Sequence, residues 1–99
     1  MKEKQFENKI KAFLKAMPNT WYFKHWAGAY SQVGIPDIIA CINGRFLGIE
    51  VKCENGRASE LQKRNIKLIN EAKGIGIILY PKDFDEFKQR MMELLEHEE

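Results

Sequence analysis

Pro36-Asp37-Ile38-Ile39-Ala40-Cys41-Ile42-Asn43-Gly44-Arg45-Phe46-Leu47-Gly48-Ile49-Glu50-Val51-Lys52 reads as two apolar runs joined by a two-residue turn. Asn43 and Gly44 both tolerate the positive φ that a tight hairpin turn demands, so Asp37 to Ile42 and Arg45 to Cys53 are expected as antiparallel strands. Pairing about that turn sets Asp37 opposite Glu50. Side chains alternate along a strand, so Glu50 and Lys52 share a face, roughly 6–7 Å apart. Ile49, Val51 and Cys53 then turn to the other side, toward a core. Two acids and an amine are thereby brought to one spot inside a strongly apolar hairpin.

The flanks read as helices and further strands. Phe6, Ile10, Phe13, Leu14 and Met17 recur at helical spacing, which predicts a helix over residues 3 to 17, ending before Pro18-Asn19. Thr20 to Trp26 is aromatic and strand-like, and Ala27 to Gly34 reads as a loop. Asn55-Gly56 closes the hairpin's second strand. Ser59 then opens a helix to about Ala72, with Leu61, Asn65, Leu68 and Ala72 along one face and Gly74 as its stop. Ile75 to Tyr80 is a continuous apolar run, expected to be a strand buried on both sides. Pro81 and Asp83 introduce a last helix, with Phe84, Phe87, Met91 and Leu94 or Leu95 facing inward. The order α-β-β-β-α-β-α gives an α/β fold. A hairpin followed by a strand–helix–strand crossover makes a mixed sheet flanked by helices on both faces.

Residues 1–99 fit a single domain with one modest core. At 44% hydrophobic and 30% charged residues, the composition is that of an ordinary globular protein rather than a disordered or fibrous one. No apolar stretch approaches the roughly 20 residues of a membrane span, and the charged start does not resemble a signal peptide. These features predict a cytoplasmic protein with no membrane partner. Cys41 and Cys53 are expected as buried free thiols, and neither His25 nor His97 has a zinc-ligand spacing to them. The net charge of +2 hides an asymmetry: residues 1–92 carry 16 Lys and Arg against 10 Asp and Glu, and the acidic end begins at Glu93. A basic body suits a polyanionic partner.

Two carboxylates a few ångströms apart repel unless a cation or a proton lies between them. Hard oxygen donors suit Mg²⁺, with Mn²⁺ able to substitute. An ammonium beside them can orient a water molecule and stabilise charge on a phosphate. The bland alternative is a turn aspartate and an exposed Glu-x-Lys ion pair contributing under about 1 kcal/mol.

Gly34-Ile35-Pro36-Asp37, a spacer of twelve residues, then Glu50-Val51-Lys52 resembles the PD-(D/E)XK nuclease signature. The glycine before the proline, the Phe46-Leu47-Gly48-Ile49 lead-in and the compact size are similar to its VRR-NUC branch. Small stand-alone members of that branch, many from phages, resemble Holliday-junction resolvases and act as homodimers. The resemblance covers residues 3 to about 80. It implies a restriction-endonuclease-like fold and a Mg²⁺-dependent, structure-specific DNA endonuclease in a bacterial or phage-infected cell. Four-way junctions or related branched DNA would be its substrate, with no small-molecule one. It further implies Asp37, Glu50 and the Val51 carbonyl as metal ligands and Lys52 as the catalytic lysine. Glu7 would join or support the metal site, and Gln62 matches a glutamine on the helix after the lysine strand.

Ser59-Glu60-Leu61-Gln62 is also a capping box, and the two roles for Gln62 are expected to coexist only if its side chain switches partner. Among the basic residues around the hairpin, Lys24, Arg57, Lys63 and Arg64, with Ser31 from the loop before Asp37, are expected to contact DNA. The rival readings are a restriction- or repair-type nuclease on flap or duplex DNA, a non-catalytic DNA-binding module, and a small protein-interaction domain. Absence of a separate base-reading element favours shape over sequence as the cue.

Overall fold

The computed structural model describes residues 1–26 and 33–96. Helix α1 spans Glu3–Ala16, strand β1 Thr20–Lys24, β2 Ile38–Ile42, β3 Arg45–Val51, helix α2 Glu60–Glu71, β4 Ile75–Leu79 and helix α3 Phe84–Leu94, the last entered through a short 3-10 turn at Pro81–Asp83. The elements follow the expected order. The strands form one mixed sheet in the order β1-β2-β3-β4. β1 and β3 both run antiparallel to β2, and β4 runs parallel to β3.

The apolar spacing of α1 puts Phe6, Ile10 and Leu14 on one buried stripe. That stripe joins Phe87 and Met91 of α3 over one side of the sheet, against Ile38, Ala40, Ile42, Leu47, Ile49 and Val51. Each of the larger side chains among them, fully buried, contributes about 1.5–3 kcal/mol relative to exposure. Helix α2 covers the other side, over β3 and β4. The chain turns between β2 and β3 at Asn43 and Gly44, with φ of 49° and 86°.

Several expectations are corrected. Strand β4 is not buried on both sides, because it is an edge strand and only Ile75 and Leu79 are fully covered. Along the α2 stripe of Leu61, Asn65, Leu68 and Ala72, the two leucines are 42% and 46% exposed, and the buried residue of the helix is Ile66. The left-handed residue ending α2 is Lys73, φ 74°, rather than Gly74. Gly74 serves instead to let Ile69 and Phe46 close in, each 3.1 Å from where its Cβ would lie. Cys41 and Cys53 are free but not buried: α2 leaves the outer side of β1 and β2, with Cys41, uncovered, and Cys53 sits half-buried past the end of β3, where its Sγ–H donates to the Met1 carbonyl. For the same reason Trp21 is 63% exposed. No helix among the described residues is long and apolar enough to cross a membrane.

Candidate active site

β2 and β3 pair with Ile38 opposite Ile49, so the next pair out along the ladder is Asp37 and Glu50, the register expected from the turn. The two acids are held differently. The Val51 N–H donates to Asp37 Oδ2 at 2.8 Å, which ties the aspartate across the strand gap. Glu50 is 2% exposed. Its Oε2 accepts from Gln62 Nε2 at 2.9 Å and faces Lys52 Nζ at 3.3 Å. Its Oε1 is buried and has no hydrogen-bond partner among the described residues. Burial pushes the Glu50 carboxyl up to about 7, the charge and hydrogen-bonding capacity of Asp37 push the same way, and Lys52 opposes them.

A buried carboxylate oxygen without a donor, beside a second carboxylate, fits a cation better than it fits an apolar strand surface. Asp37, Glu50 and the intervening strand backbone at Val51 are hard oxygen donors of the kind Mg²⁺ prefers. The residues present therefore fit the ion. Among the described residues no set of three His, Cys, Asp or Glu side chains converges, so the side-chain donors number two.

Glu7 and Lys24 form a neighbouring unit. Lys24 Nζ donates to Glu7 Oε1 at 2.8 Å and lies 3.6 Å from Asp37 Oδ1. Lys4 and Lys11 approach Glu7 Oε2 at 3.3 and 3.4 Å. Burial would push the Glu7 carboxyl up, but its hydrogen bonds and charge attraction to Lys24 and Lys4 outweigh that and hold it below the usual range. Burial likewise disfavours the Lys24 charge, yet Glu7 and Asp37 together raise its pKa. Glu7 thus reaches the acid pair through Lys24 rather than alongside it. Lys24, expected to touch DNA, is occupied by two carboxylates, and its side chain is 17% exposed.

The expectation about Gln62 is overturned in an instructive way. Its Oε1 accepts the Ser59 N–H at 2.8 Å while its Nε2 donates to Glu50, so it caps α2 and holds the acid at once. A carboxamide has one acceptor end and one donor end, and the two roles use opposite ends. Gly34 has φ +86°, and a Cβ there would lie 2.8 Å from Leu61 Cγ. Its carbonyl accepts from Asn65 Nδ2 at 2.9 Å, which fastens the segment leading to Asp37 onto α2.

Arg57, Lys63 and Arg64 are exposed near the start of α2. Ser31 lies outside the described residues. Sequence reasoning missed His25, whose N–H donates to the Asp37 carbonyl at 2.8 Å and whose buried Nε2 has no partner among the described residues. No motif marks it, because only the pairing of β1 with β2 brings it beside Asp37. No protein-family description, curated protein or solved structure matches the chain.

Proposed function

We propose that the protein is a divalent-metal-dependent DNA endonuclease of the PD-(D/E)XK type, in a restriction-endonuclease-like VRR-NUC domain. The observation that carries this reading is the buried Oε1 of Glu50, without a hydrogen-bond partner among the described residues and beside Asp37, with Lys52 3.3 Å from the same carboxylate. Asp37, Glu50 and the Val51 carbonyl would hold Mg²⁺ or Mn²⁺. Bound there, the ion would polarise a phosphate oxygen and make a water molecule more acidic.

The protein's own groups supply the rest. Lys52 is 15% exposed, so its ammonium reaches solvent from a fixed position and can orient an attacking water or offset charge gathering on the phosphate. Gln62 bonds one oxygen of Glu50 and the Val51 N–H bonds Asp37, so the acids need little rearrangement to act together. Lys24 and Glu7 fix Asp37 from behind.

Branched DNA, such as a four-way junction, is the proposed substrate, and cutting both arms calls for two sites related by a two-fold axis. A homodimer would supply them. The uncovered side of β1 offers a surface for it, with Trp21 and Phe23 exposed and their rings tilted against each other at 5.4 Å. The test compares junction, flap and linear duplex DNA with Mg²⁺, Mn²⁺ or EDTA. Metal-dependent cutting, strongest on the junction and reduced at least about a hundredfold in Glu50→Gln and Lys52→Ala, is expected. Binding without cutting by the wild type would leave a DNA-binding module instead.

A further inference from the structure

β3 and β4 are parallel and connected through α2, so their carboxyl ends emerge at the same edge of the sheet. A cleft of about 660 Å³ opens there, lined by Asn55, Gly56, Arg57, Lys63, Tyr80 and Lys82 among others. The cleft adjoins the end of β3 that carries Glu50 and leads into Lys52. Ile78, which also borders it, is the β4 partner of Glu50, and a Cβ on Gly56 would lie 3.4 Å from Lys52 Cβ. Its rim is fixed in place, because Tyr80 Oη donates to the Gly56 carbonyl at 3.0 Å across the two strand ends. Three cations line it against the single acid Glu54, which lies 3.8 Å from the Met1 amine. Among the described residues Arg57 and Lys82 have no ion-pair partner, and Lys63 has only an exposed one with Glu60 at 3.4 Å.

We infer that this cleft seats the phosphodiester backbone of a DNA strand as it leaves the Lys52 side of the site, with Arg57, Lys63 and Lys82 on consecutive phosphates. The inference rests on the nuclease reading and adds to it a direction for the strand and a contact, Lys82, that lies outside the hairpin motif. It also separates the expected DNA contacts. Arg57 and Lys63 line the cleft, Arg64 does not, and Lys24 serves the acids.

The test is fluorescence anisotropy of a labelled DNA duplex in EDTA, across about 50 to 200 mM salt, where each lost phosphate contact lowers the log–log slope by about 0.9. The triple variant Arg57→Ala, Lys63→Ala, Lys82→Ala is compared with a charge-matched triple on α1 and α3, Lys15→Ala, Lys88→Ala, Arg90→Ala. The cleft triple is expected to lower the slope by about 2 to 3 and to bind at least about tenfold more weakly at the lowest salt. The control is expected to change the slope by less than about 1. Equal losses in the two triples, or an unchanged slope in the cleft triple, overturn the assignment. If the wild type cuts DNA while the cleft triple binds normally, the cleft falls and the nuclease reading stands. If the wild type never cuts but the cleft triple loses binding, the cleft stands and the nuclease reading falls.

Discussion

A carboxyl that is 2% exposed, faces a second carboxylate and has one oxygen without a donor among the described residues is held partly protonated near neutral pH, and Glu50 is in that position. Its folded pKa, about 7, lies above the ordinary glutamate value of 4.5, so the folded protein binds the extra proton. The associated stability is fully present below about pH 4.5 and is lost as pH rises to about 7, amounting to up to about 3 kcal/mol. In EDTA, thermal melts should show wild-type stability falling through that window while Glu50→Gln stays flatter, so that the variant is the more stable protein at pH 8. Parallel curves would show that Glu50 is not the group responsible. Added Mg²⁺ should raise the melting temperature of the wild type and leave Glu50→Gln unmoved, since a ligand that binds only the folded state stabilises it. Gln62→Ala removes a cap acceptor and the Glu50 donor together, and should lower stability by about 1–2 kcal/mol in a denaturant titration. The triad was legible because alternation and a two-residue turn determine register by themselves. The simultaneous bonds of Gln62 were not, because they depend on how far α2 lies from β3.

Packing of α2 on the sheet is set by backbone approach at two glycines. At Gly76 a Cβ would sit 2.7 Å from the Ile66 carbonyl oxygen, which cannot turn aside; at Gly48 the nearest atom is the end of the Ile69 side chain, 2.8 Å away. Gly76→Ala is therefore expected to destabilise by about 1–3 kcal/mol and to displace Gln62 from Glu50, whereas Gly48→Ala should be milder. Chemical denaturation ranks the two, and equal effects would contradict the packing described. Lys24 links three elements, since its ammonium on β1 holds Glu7 of α1 and Asp37 before β2. Lys24→Met should cost about 2 kcal/mol, less than a fully buried pair because Lys4 and Lys11 still attend Glu7. A double-mutant cycle with Glu7→Gln measures the coupling, and additivity would rule the link out. Periodicity located every helix and strand to within a few residues, but it could not pair β1 with β2, so neither the place of His25 beside Asp37 nor the pairing of Lys24 with Glu7 and Asp37, rather than with DNA, was foreseen. Leu68, Asn65 and Ala72 of the α2 stripe border an apolar groove with Phe46 and Ile39 rather than the core.

At the level of the whole molecule, charge and exposed aromatic surface are arranged on different sides of one small sheet. The outer side of β1 presents Trp21 and Phe23, and the carboxyl ends of β3 and β4 present the basic cleft. Composition revealed a basic body but not where its charges gather, because Lys82 and Arg57 are far apart in sequence. If the aromatic side is the two-fold contact, sedimentation should show Trp21→Glu as a monomer at concentrations where the wild type is a dimer; identical sedimentation would place the contact elsewhere. The account depends most on Asp37 and Glu50 holding one divalent ion between them, which a Mn²⁺ titration followed by electron paramagnetic resonance reads directly. Saturable uptake by the wild type, weakened by about tenfold or more in both Asp37→Asn and Glu50→Gln, is the predicted result. Equal uptake by all three proteins, or none by the wild type, would contradict it.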